Sequence, residues 1–298
     1  MRVTPITAST ILSDGGTIFG IVPKALWSRK ITADERNQVP LTANVLLVEL
    51  DDGRHGLVDL GCGSPESYSE KERRVHGLGD RWLLPERLHD AGVSPAQIAF
   101  VVITHLHWDH AGGAVMPDGQ NMFAETFPNA VFHINRKEWE DAFSGNPLFF
   151  KSYPEATLSP FRGLPPDRLH LAGDEEEVLP GIRLIRSGGH TRGHSVVRIQ
   201  SSRLELNHPQ GAEFKSCPYL VFAGDVVATR HHLRMVAQMS FDFYPLETRA
   251  WKRKWLAEIA KDGALLCFEH DPDVFGATLR TDAREEFVVD RVLSTRPR

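Results

Sequence analysis

Residues 100–113 read FVVITHLHWDHAGG, the densest set of chemically capable groups in the chain. Three imidazoles and a carboxylate stand at His105, His107, Asp109 and His110. In extended backbone, residues two apart share a side, so His105, His107 and Asp109 can converge while Leu106 and Trp108 face away. His110 follows as the chain turns, and Gly112 and Gly113 permit a tight bend. Imidazoles crowded in this way repel one another once protonated. Kept neutral beside a carboxylate, they suit a divalent cation. A histidine-rich surface turn is the competing explanation, and the completeness of the pattern weighs against it.

Three more candidates follow, each at the end of an apolar run that reads as a strand. Residues 186–195, RSGGHTRGHS, put His190 in a glycine-rich turn. Residues 221–226, VFAGDV, deliver Asp225 just after Gly224, and residues 265–271, LLCFEHD, deliver His270. A single strand-end histidine is more often a bonded structural residue than a ligand. Three such sites, following a complete His-x-His-x-Asp-His in this order, reverse that balance.

The elements that must position these groups are short. Strands are expected at 17–22, 44–50, 55–60, 100–104, 130–135, 182–187, 195–200, 219–223 and 264–268, where Val, Ile, Leu and Phe dominate. Many are almost continuously apolar, which suits strands covered on both faces. Helical spacing occurs at 85–91, 136–143, 247–262 and 282–293. In the third, Trp251, Trp255, Ile259 and Ala260 form one stripe, with Arg249, Lys252, Arg253 and Lys261 mostly elsewhere, and Gly263 ends it. Strands mixed with helices imply sheets packed face to face with helices outside. No repeat or linker divides the chain, so one domain over residues 1–298 is expected.

Composition narrows the classes. The chain has 298 residues, enough for a sizeable core, and a formal net charge of -5 with both signs interspersed. That gives no electrostatic footprint for nucleic acid. Three scattered cysteines, Cys62, Cys217 and Cys267, make neither a disulfide framework nor a thiolate zinc site. Residues 1–10 lack the apolar run of a signal peptide, and no segment approaches eighteen consecutive apolar residues. A cytoplasmic protein with no membrane span is the expectation.

On these motifs, and on residues 44–63, NVLLVELDDGRHGLVDLGCG, the chain resembles the metallo-β-lactamase superfamily over nearly its full length. The resemblance implies an α/β fold, an αββα sandwich of two packed mixed β-sheets flanked by helices, with the site at one edge. It assigns His105, His107 and His190 to one metal, and Asp109, His110 and His270 to a second, with Asp225 bridging them. Asp59 would orient a ligand imidazole from behind. His194 matches no ligand and would be structural or supporting. Nitrogen and oxygen donors without a thiolate suit two divalent ions, zinc first, with manganese, iron or cobalt as alternatives. Two cations sharing a carboxylate leave a place for water and lower its pKa, so hydroxide forms near neutral pH. Asp109 would orient that nucleophile and pass its proton to the leaving group.

The implied function is hydrolysis of a small ester, lactones first. Phosphotriesters, aryl esters and thioesters are alternatives on the same site. Asp225 stands where many true β-lactamases carry cysteine. Ala228 stands where acyl-homoserine lactonases carry a tyrosine, a departure from that branch. An iron-dependent oxidoreductase of the persulfide dioxygenase kind is the reading from another class, and a non-catalytic binding protein is a third. The complete ligand set favours two-metal hydrolysis over both. For substrate contacts the candidates are His232 or its neighbour His231, with Met235, Met239, Phe241, Phe243, Tyr244, Phe149 and Phe150 as apolar lining. A surface histidine pair, and an ordinary core or dimer contact, are the alternatives. The partner expected is a small molecule, and a homodimer is the assembly expected from the resemblance and from the prevalence of two-fold assemblies.

Overall fold

Strands whose side chains alternate between two apolar environments must be covered on both faces, and the computed structural model, which describes residues 1–118, 123–149 and 153–295, realises this. Leu46 and Leu47 are neighbours in strand Gln38–Glu49, yet they enter different cores, as do Val101 and Val102 in strand Ile98–Val102. The first sheet runs, in spatial order, Glu205–Leu206, Arg2–Asp14, Gln38–Glu49, His55–Val58, Ile98–Val102, Val131–Asn135 and Leu169–Ala172. The second runs Phe287–Ser294, Val274–Thr281, Leu265–Cys267, Leu220–Phe222, Ser195–Ile199, Ile182–Arg186 and Glu175–Leu179. Val3, Leu46, Val58, Phe100 and Val102 of the first meet Leu184, Val197, Leu220, Phe222 and Leu265 of the second. Helices Leu84–Asp90, Arg136–Ala142 and Glu155–Arg162 cover the outer face of the first sheet, and the long helix Pro245–Asp262 covers the second. This is the expected αββα sandwich of mixed sheets.

Two local expectations are corrected. Residues 17–22 do not form a strand: Asp14 caps a short helix, Gly15–Phe19, by accepting from the Thr17 backbone N–H, and Gly20 at φ 56° ends it. The segment 282–293 is not a helix. Asp282 accepts from the backbone N–H groups of Arg284 and Glu286, Glu285 takes φ 59°, and Phe287–Ser294 returns as a strand paired with Val274–Thr281. Turn chemistry at one aspartate outweighed the helical spacing beyond it. Strand Arg2–Asp14 carries no clear strand pattern in its sequence, because Pro5 interrupts its β-branched residues.

The long helix ends at Gly263, φ 67°, as expected. Lys252 on it is buried, contrary to its expected polar placement. Its Nζ donates to the Ala237 carbonyl, and burial pulls its pKa down to about 7. Among the described residues, no helix is long and apolar enough to cross a membrane.

The topology gathers strand ends. His55–Val58 and Ile98–Val102 run parallel, which sets Asp59 beside Thr104. Leu220–Phe222 and Leu265–Cys267 also run parallel, so the residues that follow them, including Asp225 and His270, emerge together. The inter-sheet core carries this arrangement. Phe100 fills the space above Gly56, where a Cβ would fall 2.2 Å from its ring. Phe100→Ala should therefore cost about 3–5 kcal/mol in urea unfolding. A loss below about 1 kcal/mol would show that this layer is not tightly packed.

Candidate metal centre

Strand Ile98–Val102 gives out before the motif, and His107 begins a single helical turn, Trp108–Ala111. Asp109 and His110 therefore turn inward through helical rather than extended geometry. Extended spacing alone accounts for His105 and His107. Two groups of donors that share no residue result, and a third, Asp59, His110 and Glu269, reuses His110. Ligating atoms of His105, His107, His190 and Asp225 lie within 4.8 Å of one another, and so do those of Asp109, His110 and His270.

Asp225 faces both. Its Oδ2 lies 3.1 Å from His190 Nε2 and 3.8 Å from His105 Nε2. Its Oδ1 lies 2.9 Å from His270 Nε2 and 3.5 Å from His110 Nε2. Within the second group, His270 Nε2 is 3.3 Å from His110 Nε2, and within the first, His190 Nε2 is 3.0 Å from His107 Nδ1. Asp109 lies at the edge of the second group, with Oδ1 3.8 Å from His110 Nε2 and Oδ2 3.8 Å from His270 Nε2.

The imidazoles are held from behind. His190 Nδ1 donates to Asp242 Oδ1 at 3.0 Å, and His270 Nδ1 donates to the Thr42 carbonyl at 2.7 Å. His110 Nδ1 faces two buried carboxylates, Asp59 Oδ2 at 3.0 Å and Glu269 Oε2 at 2.9 Å. Fixing Nδ1 in this way leaves Nε2 as the inward-facing atom. Asp59 is itself anchored, accepting from the Thr104 backbone N–H at 2.7 Å and from its hydroxyl at 2.6 Å, with φ at 57°. His194 works on the backbone. Its Nε2 accepts from the Asp225 N–H at 2.9 Å while Nδ1 donates to Ser187 Oγ. Gly224 makes that approach feasible, since a Cβ there would fall 2.7 Å from His194 Nε2 and its φ is 50°.

The electrostatics call for positive charge. Burial, reinforced by neighbouring imidazoles, drives His105 and His107 well below the usual histidine range. Burial also acts on His190 and His270, but the Asp225 carboxylate beside each reverses its effect and raises both. In His110, burial is likewise overcome, by Glu269, Asp225 and Asp109. Asp225 is held well below the carboxylate range: burial opposes ionisation, and His270, His190 and His110 outweigh it. His105 Nε2 and His107 Nε2 are buried and make no hydrogen bond. Buried polar atoms left in that state cost about 1–3 kcal/mol each. Imidazole lone pairs and carboxylate oxygens aimed at common points are the donor set of divalent cations, and the residues fit such a group.

Glu269, Asp242, Thr42 and Thr104 were not singled out in the sequence. Only Glu269 carried a signal, a carboxylate inside an apolar strand run. Asp242 and Thr42 reach the centre through tertiary packing alone. The expected substrate contacts divide. Phe149 is half-buried, its ring 5.4 Å from that of Phe243, whose backbone N–H donates to the His190 carbonyl. Met235 is half-buried, and Phe150 lies outside the described residues. His232 is corrected. Its Nε2 donates to the Ile18 carbonyl, its Nδ1 lies 2.8 Å from the Thr229 hydroxyl, and its ring stacks on Phe19, so no nitrogen remains for a substrate.

Burial holds the folded pKa of His232 down to about 3, against 6.5 for a free side chain. Its contribution to stability is complete above pH 6.5 and is lost as pH falls toward 3. The loss should be about 1.4 kcal/mol per pH unit. His232→Gln should remove about one proton from the slope of unfolding free energy against pH in that window. An unchanged slope would contradict the buried, neutral assignment.

Residues 39–204 match the family model of the metallo-beta-lactamase superfamily. An N-acyl homoserine lactonase of Bacillus cereus is 28% identical over 170 residues, covering 54% of this chain and 59% of that protein. A probable metallo-hydrolase of Mycobacterium tuberculosis is 25% identical over 192 residues, covering 57% of this chain and 56% of its own. The chain thus spans about six tenths of the length of the curated relatives it matches. Among solved structures, a probable metal-dependent hydrolase from Staphylococcus aureus superposes with TM-score 0.83 at 25% identity, over 98% of this chain and 96% of that one. AidC, a dizinc quorum-quenching lactonase crystallised with its product, superposes with TM-score 0.71 at 18% identity, over 97% and 94%, a likeness of fold. With its family profile matched over residues 39–204 and its fold shared over 98% of its length, this chain belongs to the metallo-beta-lactamase superfamily.

Proposed function

We propose that the protein is a metal-dependent hydrolase holding two divalent cations, with a lactone or similar small ester as substrate. One cation would sit among His105, His107 and His190, the other among Asp109, His110 and His270. The observation that carries this reading is the stance of Asp225, with one carboxylate oxygen turned to each group. A single cation would leave one set of buried donors without a charge to meet. Nitrogen and oxygen donors without a thiolate favour zinc.

Bound there, the cations would polarise the ester carbonyl and make water acidic enough to supply a nucleophile at neutral pH. The chain's own residues do the rest. Asp225 is almost fully enclosed, whereas the Asp109 side chain keeps 17% of its surface exposed. Asp109 is thus the carboxylate with access to both the centre and solvent. It takes the proton of the attacking water on a carboxylate oxygen and returns it to the leaving alkoxide. His194 holds the Asp225 backbone, and Asp242, Thr42 and Asp59 keep three imidazoles in one ring orientation. Phe149 and Phe243 touch each other and connect to the first group through the Tyr153 ring and the His190 carbonyl, and they would receive the apolar part of the substrate. The likeness to N-acyl homoserine lactonases supports a lactone as the first substrate to try.

Zinc-replete protein should contain about two metals per chain by elemental analysis and hydrolyse N-acyl lactones. Asp225→Ala should lower kcat by at least about 100-fold while the circular dichroism spectrum is kept. One metal or fewer, or activity retained in that variant, would refute the shared carboxylate.

A further inference from the structure

Helix Arg136–Ala142 contributes to neither group of donors, yet the loop carrying His190 is docked on it residue by residue. Thr191 donates its hydroxyl to Glu138 Oε2. Arg192 forks the Asp141 carboxylate from Nε at 3.0 Å and Nη2 at 2.7 Å, and Nη2 also donates to the Lys137 carbonyl. Gly193 touches the helix backbone so closely that a Cβ would fall 2.0 Å from Glu138 N.

Glu138 does more than receive that loop. Its side chain is fully buried, and Oε1 accepts from the Leu106 backbone N–H and from the Tyr153 hydroxyl, each at 2.9 Å. Leu106 lies between His105 and His107, and Thr191 directly follows His190. The Tyr153 ring lies 5.2 Å from that of His107. One carboxylate therefore bonds to the immediate chain neighbours of all three histidines in the first group. Three donors converge on one buried carboxyl group, and such a hub fixes distances more firmly than apolar packing would.

We propose that Glu138 is the positioning residue of the first cation group, setting the spacing between the His105–His107 turn and the His190 loop without touching a cation itself. The inference rests on the two-cation reading above. It makes the affinity for one cation, and not the other, depend on a side chain in a helix outside the centre. Among the described residues, Asp109, His110 and His270 make no hydrogen bond to Glu138 or to the loop it holds, so their group should be indifferent to it.

Zinc titration against a chromogenic chelator tests this, because it reads two dissociation constants with no substrate present. Glu138→Gln keeps the shape and the acceptor for Leu106 and Tyr153, and removes the charge and the acceptor for Thr191. It should weaken one zinc constant by roughly 10–100-fold and leave the other unchanged. Thr191→Val cuts only the tie to the His190 loop and should weaken the same constant about tenfold. It also supplies the readout if Glu138→Gln does not fold. A purely structural Glu138 would lower the Tm in both variants and leave the constants alone, which would overturn the inference. Equal weakening of both constants would overturn it too. Wild-type protein that binds no zinc would overturn the two-cation reading, and this inference with it; two bound zincs with constants unmoved in the variants would overturn the inference alone.

Discussion

The unpaired nitrogens of His105 and His107, buried in one donor group with the Asp225 carboxylate, are the feature the rest of the molecule is arranged around. Burying such atoms is costly, and they cannot relieve one another: like imidazoles repel, and burial already suppresses protonation of two of them. Only a group that accepts several lone pairs and neutralises a carboxylate removes the penalty. Seven side chains from distant points of the chain converge on that requirement. Each must be delivered with its ring or carboxylate in one orientation.

The sandwich is suited to this task because it ends several strands at one edge. Parallel pairing of Leu220–Phe222 with Leu265–Cys267 brings Asp225 and His270 out side by side, and parallel pairing of His55–Val58 with Ile98–Val102 backs the motif with Asp59. The tight turns at the edge then do the aiming. Asp59 at φ 57° and Gly224 at φ 50° occupy left-handed backbone where the chain must reverse against a neighbouring side chain. Rigid strands and strained turns together hold the donors near their working places before any ligand arrives.

Much of this was legible in the sequence for a physical reason. The ligand candidates sit where apolar runs stop, and a polar residue at the end of a buried strand has few roles. The double-faced strands were recognisable because both faces are covered, as Val101 and Val102 show. What failed was governed by non-local or turn-level terms. Phe287–Ser294 has helical spacing, but the Asp282 turn commits it to a hairpin. His232 has the residue type of a substrate contact, yet its neighbours across the fold, Ile18 and Phe19, bury it. Asp242 and Thr42 support His190 and His270 from positions no spacing rule connects to them. Glu138 was likewise invisible, since its partners Leu106, Tyr153 and Thr191 meet only after folding.

Anomalous diffraction from crystals of zinc-loaded protein addresses the central claim most directly. The account predicts two peaks about 3.5–4 Å apart, one among His105, His107 and His190 and one among Asp109, His110 and His270, with the Asp225 carboxylate between them. A single peak, or zinc bound anywhere else in the molecule, would contradict it.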